Sequence, residues 1–555
     1  MTAAARAASE ALGEAAAPPR RHRLALAAIA AQVGVEMRTR LRSTGTIVTV
    51  LVLFAAAFGY VPPPGSNRVS IMWKTGGEMV SGTYTVGFIG AIVAMLTAML
   101  LPLVGFYLVS GSVRRDLERR VWPILAATPT STASYLLGKW LAAVAYLMVL
   151  AAIGLVPAVI LFVQHGTGEF AVGQLLLPWL LMAPPAMLFT AAMALLFDVT
   201  PGLRGRGGYV VWFFAWAFLF MMIPGNLGNM LDNDPDNDRL TSYDPAGLVL
   251  FDHLIEASAQ TPVESVSMGV VILDEPVRRV PFPPLRPDGK LVAMRFAAAA
   301  WTAVPLGLAI ALFARTRRTA GRSLRRGRAA AAAMALPLDA AGAAATPAGP
   351  LALRAHPTRP RLSRSVLAEL ILTWRAASWL KWPLVGCALA ALVVPGDARG
   401  AFTAVFLLLL APPIAEAAAR EQLAGTAAVS LAQPGVPRSV VGWKAAAVGL
   451  FVLLAGAPVL AAAFLRSTEH GVAMALALAF LAAAAVGLGY LSGGGKLFLG
   501  AYTALWYVAI QRDSPLDFSG AFTAPDAGRS AAFAGVGLLA LGGAAVVERV
   551  RAARS

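Results

Sequence analysis

Apolar runs of about 20 residues, each long enough as a helix to cross roughly 30 Å of hydrocarbon, recur along nearly the whole chain. No single water-facing domain could bury them all, because 58% of the 555 residues are hydrophobic and only 14% are charged. The chain reads as an all-α polytopic membrane protein. Six runs lie near Ile47 to Tyr60, Val86 to Val109, Lys139 to Val163, Val172 to Phe197, Tyr209 to Ile223 and Leu291 to Phe313. Six more lie near Trp382 to Val394, Phe402 to Ala418, Trp443 to Phe464, Val472 to Tyr490, Leu497 to Ile510 and Ala531 to Val547, giving about twelve spans.

The net charge of +17 follows the loops. Arg38, Arg40 and Arg42, the cluster from Arg114 to Arg120, Arg204 and Arg206, and the run from Arg315 to Arg328 fall on alternate loops, which the positive-inside rule makes cytoplasmic. The acidic segment "LDNDPDNDRL" from Leu231 to Leu240 then falls outside, and both termini fall inside. The basic excess is accounted for by topology, so no nucleic-acid partner is expected. The first 23 residues lack an apolar core before a cleavage site and read as a retained cytoplasmic tail. The one cysteine, Cys387, excludes an intrachain disulfide and a cysteine-rich metal site.

An Arg-rich stretch followed by Ala, Pro and Gly divides the chain into two halves. Residues 1–45 form a tail with an interfacial helix, 46–314 a first six-span half with an external insert at 226–290, 315–364 a cytoplasmic linker, and 365–555 a second six-span half. Each half opens with an amphipathic segment carrying an acid, Glu36 or Glu369, followed by arginine.

The loop after the second run occurs twice. With Pro129 laid on Pro434, Lys139 falls on Lys444, Ser134 on Ser439, Asp116 on Glu421 and Arg115 on Arg420. In the first copy Arg114 and Glu118, and Asp116 and Arg120, are spaced i,i+4 and can pair along a helix that extends the second span, with Arg119 beside them. Pro123 suits the first turn of a further short helix ending before Pro129, Ser131 or Thr130 can cap the third span, and Lys139 can snorkel toward the interface. Exposed pairs of this kind contribute about 0.2–1 kcal/mol, so they are expected to matter more for docking than for folding. A short charged helix projecting between two spans has the shape of a coupling element for a soluble partner.

Both loops resemble the one between spans two and three of the type-2 ABC exporter permease family, whose pattern is acid, Gly-Thr, an apolar stretch, a proline turn and Gly-Lys. Glu421, Gly425, Thr426, Pro434 and Lys444 match in the second copy, and Asp116, Pro129, Gly138 and Lys139 in the first. Arg120 and Val121 replace Gly-Thr in the first copy, and Trp443 stands where a glycine is expected in the second, which points to unequal halves. The resemblance implies two six-helix halves of that permease topology, docked through Arg115, Asp116, Glu118, Arg119, Pro129, Lys139, Arg420, Glu421, Gly425, Thr426, Pro434 and Lys444. It implies two copies of a separate ABC ATPase subunit, with ATP and Mg on that partner and no cofactor in this chain.

Other chemistries find little footing. "GYLSGGGKLFLG" places Tyr490 and Leu497 where a phosphate-binding loop needs Gly and Ser/Thr, so it reads as a cytoplasmic turn and ATP hydrolysis is assigned to another chain. An ion-coupled secondary transporter of twelve spans is the alternative. Its candidate ionisable residues, Asp198 and Glu416, sit at span ends where solvated structural roles are expected. Five scattered histidines form no catalytic motif. Asp232, Asp234 and Asp236 imitate half a calcium loop, but Asn237 and Tyr243 occupy the required Gly and Glu positions. Sparse charge in the spans favours an exported small molecule or a lipid-like substrate. Abundant alanine and the preference for Arg over Lys suggest a bacterial plasma membrane.

Overall fold

A computed structural model describes residues 21–118, 131–224, 289–315, 362–427, 429, 440–511, 514 and 516–554, together with parts of 243–286. Every apolar run of the sequence is helical. The chain opens with α1 (Arg21–Leu41) and α2 (Thr44–Phe58), then forms α3 (Val86–Val109), α4 (Ser112–Glu118), α5 (Thr132–Ile153), α6 (Leu155–His165) and α7 (Val172–Val199). Next come α8 (Arg206–Trp216), which runs into a π-helical turn at Ala217–Met222, and α9 (Gly289–Ala300), whose helical path extends to Arg315. The C-terminal part holds α10 (Leu362–Ala376), α11 (Lys381–Val393), α12 (Asp397–Ala415), the short α13 (Arg420–Leu423), α14 (Val440–Arg466), α15 (Thr468–Ser492), α16 (Lys496–Ala509) and α17 (Ala527–Arg554).

Among the described residues, eight helical stretches are long and apolar enough to cross a membrane, and ten if two bent pairs each count as one span. Of the twelve expected spans, this measure finds ten at most. The helices at 207–222 and Lys496–Ala509 fall short of a bilayer's thickness, and the first run of each half is half of a bent pair. Residues 26–58 bend by 71° at Ser43, where the side chain accepts the Thr46 amide and restarts the helix; residues 362–393 bend by 96° around a 3-10 turn at Ser378–Leu380.

Burial separates the helices by role. Almost every residue of α3 is buried, whereas α17 leaves Leu538 and Leu539 exposed by 61% and 77%, as lipid-facing side chains should be. At the centre, Trp212 and Trp216 of α8 donate their indole N–H to the carbonyls of Leu103 and Met99 on α3. On α16 the Tyr502 hydroxyl and the Trp506 indole N–H donate to the carbonyls of Leu407 and Ala404 on α12. α16 also packs on α3 and α8 on α12, and Phe213–Trp506 and Trp216–Tyr507 stack edge to face at 4.9 Å along the seam.

A four-stranded sheet departs from the all-helical expectation. Its order is β3-β1-β2-β4, with β1 at Arg68–Thr75, β2 at Glu78–Gly82, β3 at Ser265–Ile272 and β4 at Arg278–Val280. β1 and β2 pair with Thr75 opposite Glu78, leaving Gly76 and Gly77 as a two-residue turn with φ of 57° and 80°. Two consecutive positive φ values are what a type I′ hairpin requires, and glycine meets them without strain. The sheet is seated on the start of α3, where the buried Phe88 ring lies 4.8 Å from Phe282 and 6.2 Å from Trp73.

Candidate functional site

The other end of α3 carries the charges. Its helix breaks at Ser110–Gly111, where Gly111 has φ of 78°, and restarts as α4 with Arg115 and Asp116. α1 lies against α5, which brings Glu36 over Lys139. The Lys139 ammonium bridges Glu36 and Asp116, the latter at 2.7 Å, while Arg115 and Arg40 reach Glu36 at 3.2 and 3.5 Å. Asp116 also accepts the Tyr135 hydroxyl at 2.8 Å. Arg40 donates to the carbonyls of Leu108 and Val109, so the cluster caps the last turn of α3.

The C-terminal part repeats this arrangement with other residues. α10 lies against α14, Arg420 pairs with Glu369, and the fully buried Lys444 lies 2.8 Å from Glu421 and 3.7 Å from Glu369. Lys444 further donates to Ala417 O at 2.6 Å, capping the turn that follows α12 as Arg40 caps α3. Four residues after the glutamate, Thr373 stands where the first copy has Arg40, and it accepts from Arg420 at 3.4 Å. The first cluster therefore sets three cations against two acids, and the second two against two.

Gly425 and Thr426 have a local task. The Gly425 amide donates to Gln422 O and the Thr426 amide to Glu421 O, with Gly425 at φ of 71°. Crossed bonds around a left-handed glycine stop a helix, and here they end α13 after one turn. Leu423, Gly425 and Thr426 are left exposed on its outer side.

Several expectations change. Lys139 does not snorkel: it is 4% exposed, because Glu36 of the overlying helix receives its ammonium inside the protein. The loop acids are not loosely solvated i,i+4 partners, since Asp116 bonds to Lys139 and Tyr135 on α5. Asp198 is buried too, accepting the amides of Gly111 (2.6 Å) and Val113 (3.2 Å) just where α4 begins. Ser131 caps α5 as the sequence suggests. Arg119, Arg120, the Pro123 helix, Pro129 and Pro434 lie outside the described residues, as does the Glu118 side chain. Sequence reasoning noticed Glu36 and Glu369 but did not join them to the loops. The signal was an acid at the same place in two amphipathic helices that each precede a bend.

A helical bundle crossing the membrane many times, with charged clusters buried at the ends of its spans and no nucleotide-binding fold among the described residues, is the architecture of a transport subunit. The family model described as "ABC-2 family transporter protein" matches residues 30–318, just over half of the chain, and the chain belongs to that family. It is a multi-pass membrane component without an ATPase domain, and membership implies an ATPase partner. No curated protein and no solved structure matches it.

Proposed function

We propose that this chain is the fused two-half transmembrane subunit of an ATP-driven exporter, working with two ABC ATPase subunits that hold ATP and Mg. Each half contributes six spans, both termini are cytoplasmic, and α4 and α13 with their loops are the docking elements. The observation that carries this reading is the doubled cluster: Glu36, Arg115, Asp116 and Lys139 on one side, Glu369, Arg420, Glu421 and Lys444 on the other. The family match supports it by ending at residue 318, just after the first six apolar runs. The short helices α8 and α16 serve as fifth spans that need a thin, locally adapted bilayer. The bacterial plasma membrane remains the expected location, and a small amphiphilic or lipid-like molecule the expected cargo.

Buried ion pairs tie each docking helix to a leading helix and a third span, so a push on the loop moves three elements together. The contact surface itself is what the clusters leave outside, with Leu423 57% and Val429 71% exposed beside Gly425 and Thr426. Replacing Leu423→Asp should leave the amount of protein in the membrane unchanged and sharply lower ATPase co-purification and transport. Unchanged co-purification after Leu423→Asp and Val429→Asp together would refute docking at the second loop.

A further inference from the structure

Besides the aromatic seam, the two halves meet at the turn that joins α15 to α16. Gly493, in the left-handed region at φ of 68°, ends α15, and Lys496 begins α16. Two segments of the first half grip this turn from different directions. Lys496 donates its ammonium to Ser110 O at the break between α3 and α4, lying so close that a Cβ at Gly111 would stand 3.2 Å from its Nζ. At the bend between α1 and α2, a Cβ at Gly45 would stand 3.0 Å from Ser492 O and 3.6 Å from Ser492 Cβ.

Both contact points adjoin the first charged cluster. The Ser110–Gly111 break is held by Arg40 on its N-terminal side and by Asp198 on its C-terminal side, and it leads directly into α4. Gly45 lies one turn beyond Arg40, and Thr46 Oγ1 donates to Arg40 O at 2.6 Å. Lys496 is half-buried in the field of one acid, Asp198, and three cations, Arg40, Arg114 and Arg115. A small movement of α4 shifts two of those cations and therefore alters the force on Lys496. The second half reaches back the same way: Trp379, in the turn between α10 and α11, lies 2.8 Å from where a Cβ of Gly207 would stand at the start of α8.

We propose that the two halves are geared in trans, so that a displacement of the first docking loop is delivered to the opposite half's α15–α16 turn through Lys496 and Ser492, and moves α16. Lys496 is then a positioning residue for transport. This rests on the reading of α4 as a docking helix and adds the route by which its movement leaves its own half.

A disulfide needs Cβ atoms about 3.5–4.5 Å apart, which suits a Gly45→Cys, Ser492→Cys pair. In full-length protein carrying Cys387→Ser and a protease site in the linker, oxidation in membranes should keep the halves joined after linker cleavage. With the co-purified ATPase subunit present, ATP plus vanadate should slow this cross-linking about fivefold or more, the lower end of usual coupling energies. Lys496→Gln should retain the ATPase subunit and the resting cross-link yet lose the ATP effect, while Lys496→Arg keeps it. A cross-linking rate indifferent to ATP, or an ATP effect that survives Lys496→Gln, overturns the gearing and leaves docking standing. If Lys496→Gln fails to reach the membrane, the ATP dependence of the unaltered Lys496 protein decides alone. Absence of any co-purifying ATPase subunit overturns docking and gearing together.

Discussion

The Lys444 ammonium stands 2.8 Å from a carboxylate oxygen of Glu421, 23 positions before it in the chain. Lys139 and Asp116, at the same separation in sequence, stand 2.7 Å apart. In each case a glutamate from the leading amphipathic helix closes the other side of the lysine. A lysine without such partners would be expelled from so buried a place, since desolvating an ammonium costs several kcal/mol. The clusters thus explain how a charged loop can be fastened to apolar spans.

Removing the lysines should expose a difference between the halves. Breaking a buried ion pair from one side costs about 3–5 kcal/mol, because the other charge is left unpaired. After Lys139→Met, Glu36 still has Arg40 and Arg115; after Lys444→Met, Glu369 keeps Arg420 alone. Lys444→Met should therefore lower the thermal unfolding temperature of the detergent-purified protein more than Lys139→Met. Adding Glu369→Gln to Lys444→Met should recover part of the loss. Equal losses, or no recovery, would contradict the assigned partners.

The sheet gives a pH-dependent signal. Glu264 is held below its ordinary value of 4.5, first by the hydrogen bond from Lys74 and then by the Gly77 amide. A carboxyl with a lowered folded value adds stability above its unfolded value and loses it as pH falls. The β1–β2 turn should accordingly become more open to protease in intact vesicles as pH drops below 4.5, and Glu264→Gln should be open to the same degree at every pH. The group is exposed, so the effect is confined to the turn and global unfolding should not shift.

Orientation can be read with one reagent. A cysteine at Asp236, in the acidic insert, should react with an impermeant thiol reagent in intact cells, and one at Ala343, in the linker, should react only after lysis. Both are placed in a Cys387→Ser background. The reverse pattern would invert the topology and put the loops proposed for docking on the wrong side for ATP.

Much of this could be read from residues close together in sequence. The run from Val86 to Val109 has the same limits as α3, because an uninterrupted apolar stretch bounded by Thr85 and Ser110 leaves a helix little freedom in its ends. The doubled loop was visible because acid, proline and lysine keep one spacing inside each copy. Glu36 and Glu369 were not joined to it, since the helix that carries each acid precedes its loop by a different distance in the two copies. The hairpin was also missed, although Gly76-Gly77 between two runs of strand-forming residues is a turn signal. Its partner β3 lies nearly two hundred residues on, across an insert with no local pattern linking the two. The lengths of α8 and α16 were not legible, because pairing with α3 and α12 accommodates helices shorter than a bilayer.

The Gly-Thr pair offers the narrowest test of how the second loop works. Gly425 holds φ of 71°, a conformation that costs a β-branched residue about 1–2 kcal/mol, and its amide and that of Thr426 close α13 onto Gln422 and Glu421. Gly425→Val should undo this stop while leaving the ion pairs of Glu369 with Arg420 and Lys444 in place. The cluster should stay intact and protein levels should remain near normal, while Leu423 and Val429 lose their fixed position. Gly425→Asn, a residue that tolerates the left-handed region, should preserve most of the behaviour. The expected result is weakened ATPase co-purification for Gly425→Val, near-normal co-purification for Gly425→Asn, and stabilities that differ from the unaltered chain by no more than about 2 kcal/mol for both. If Gly425→Val binds the ATPase subunit as well as the unaltered chain does, the helix stop is a folding detail and α13 does not present the docking surface.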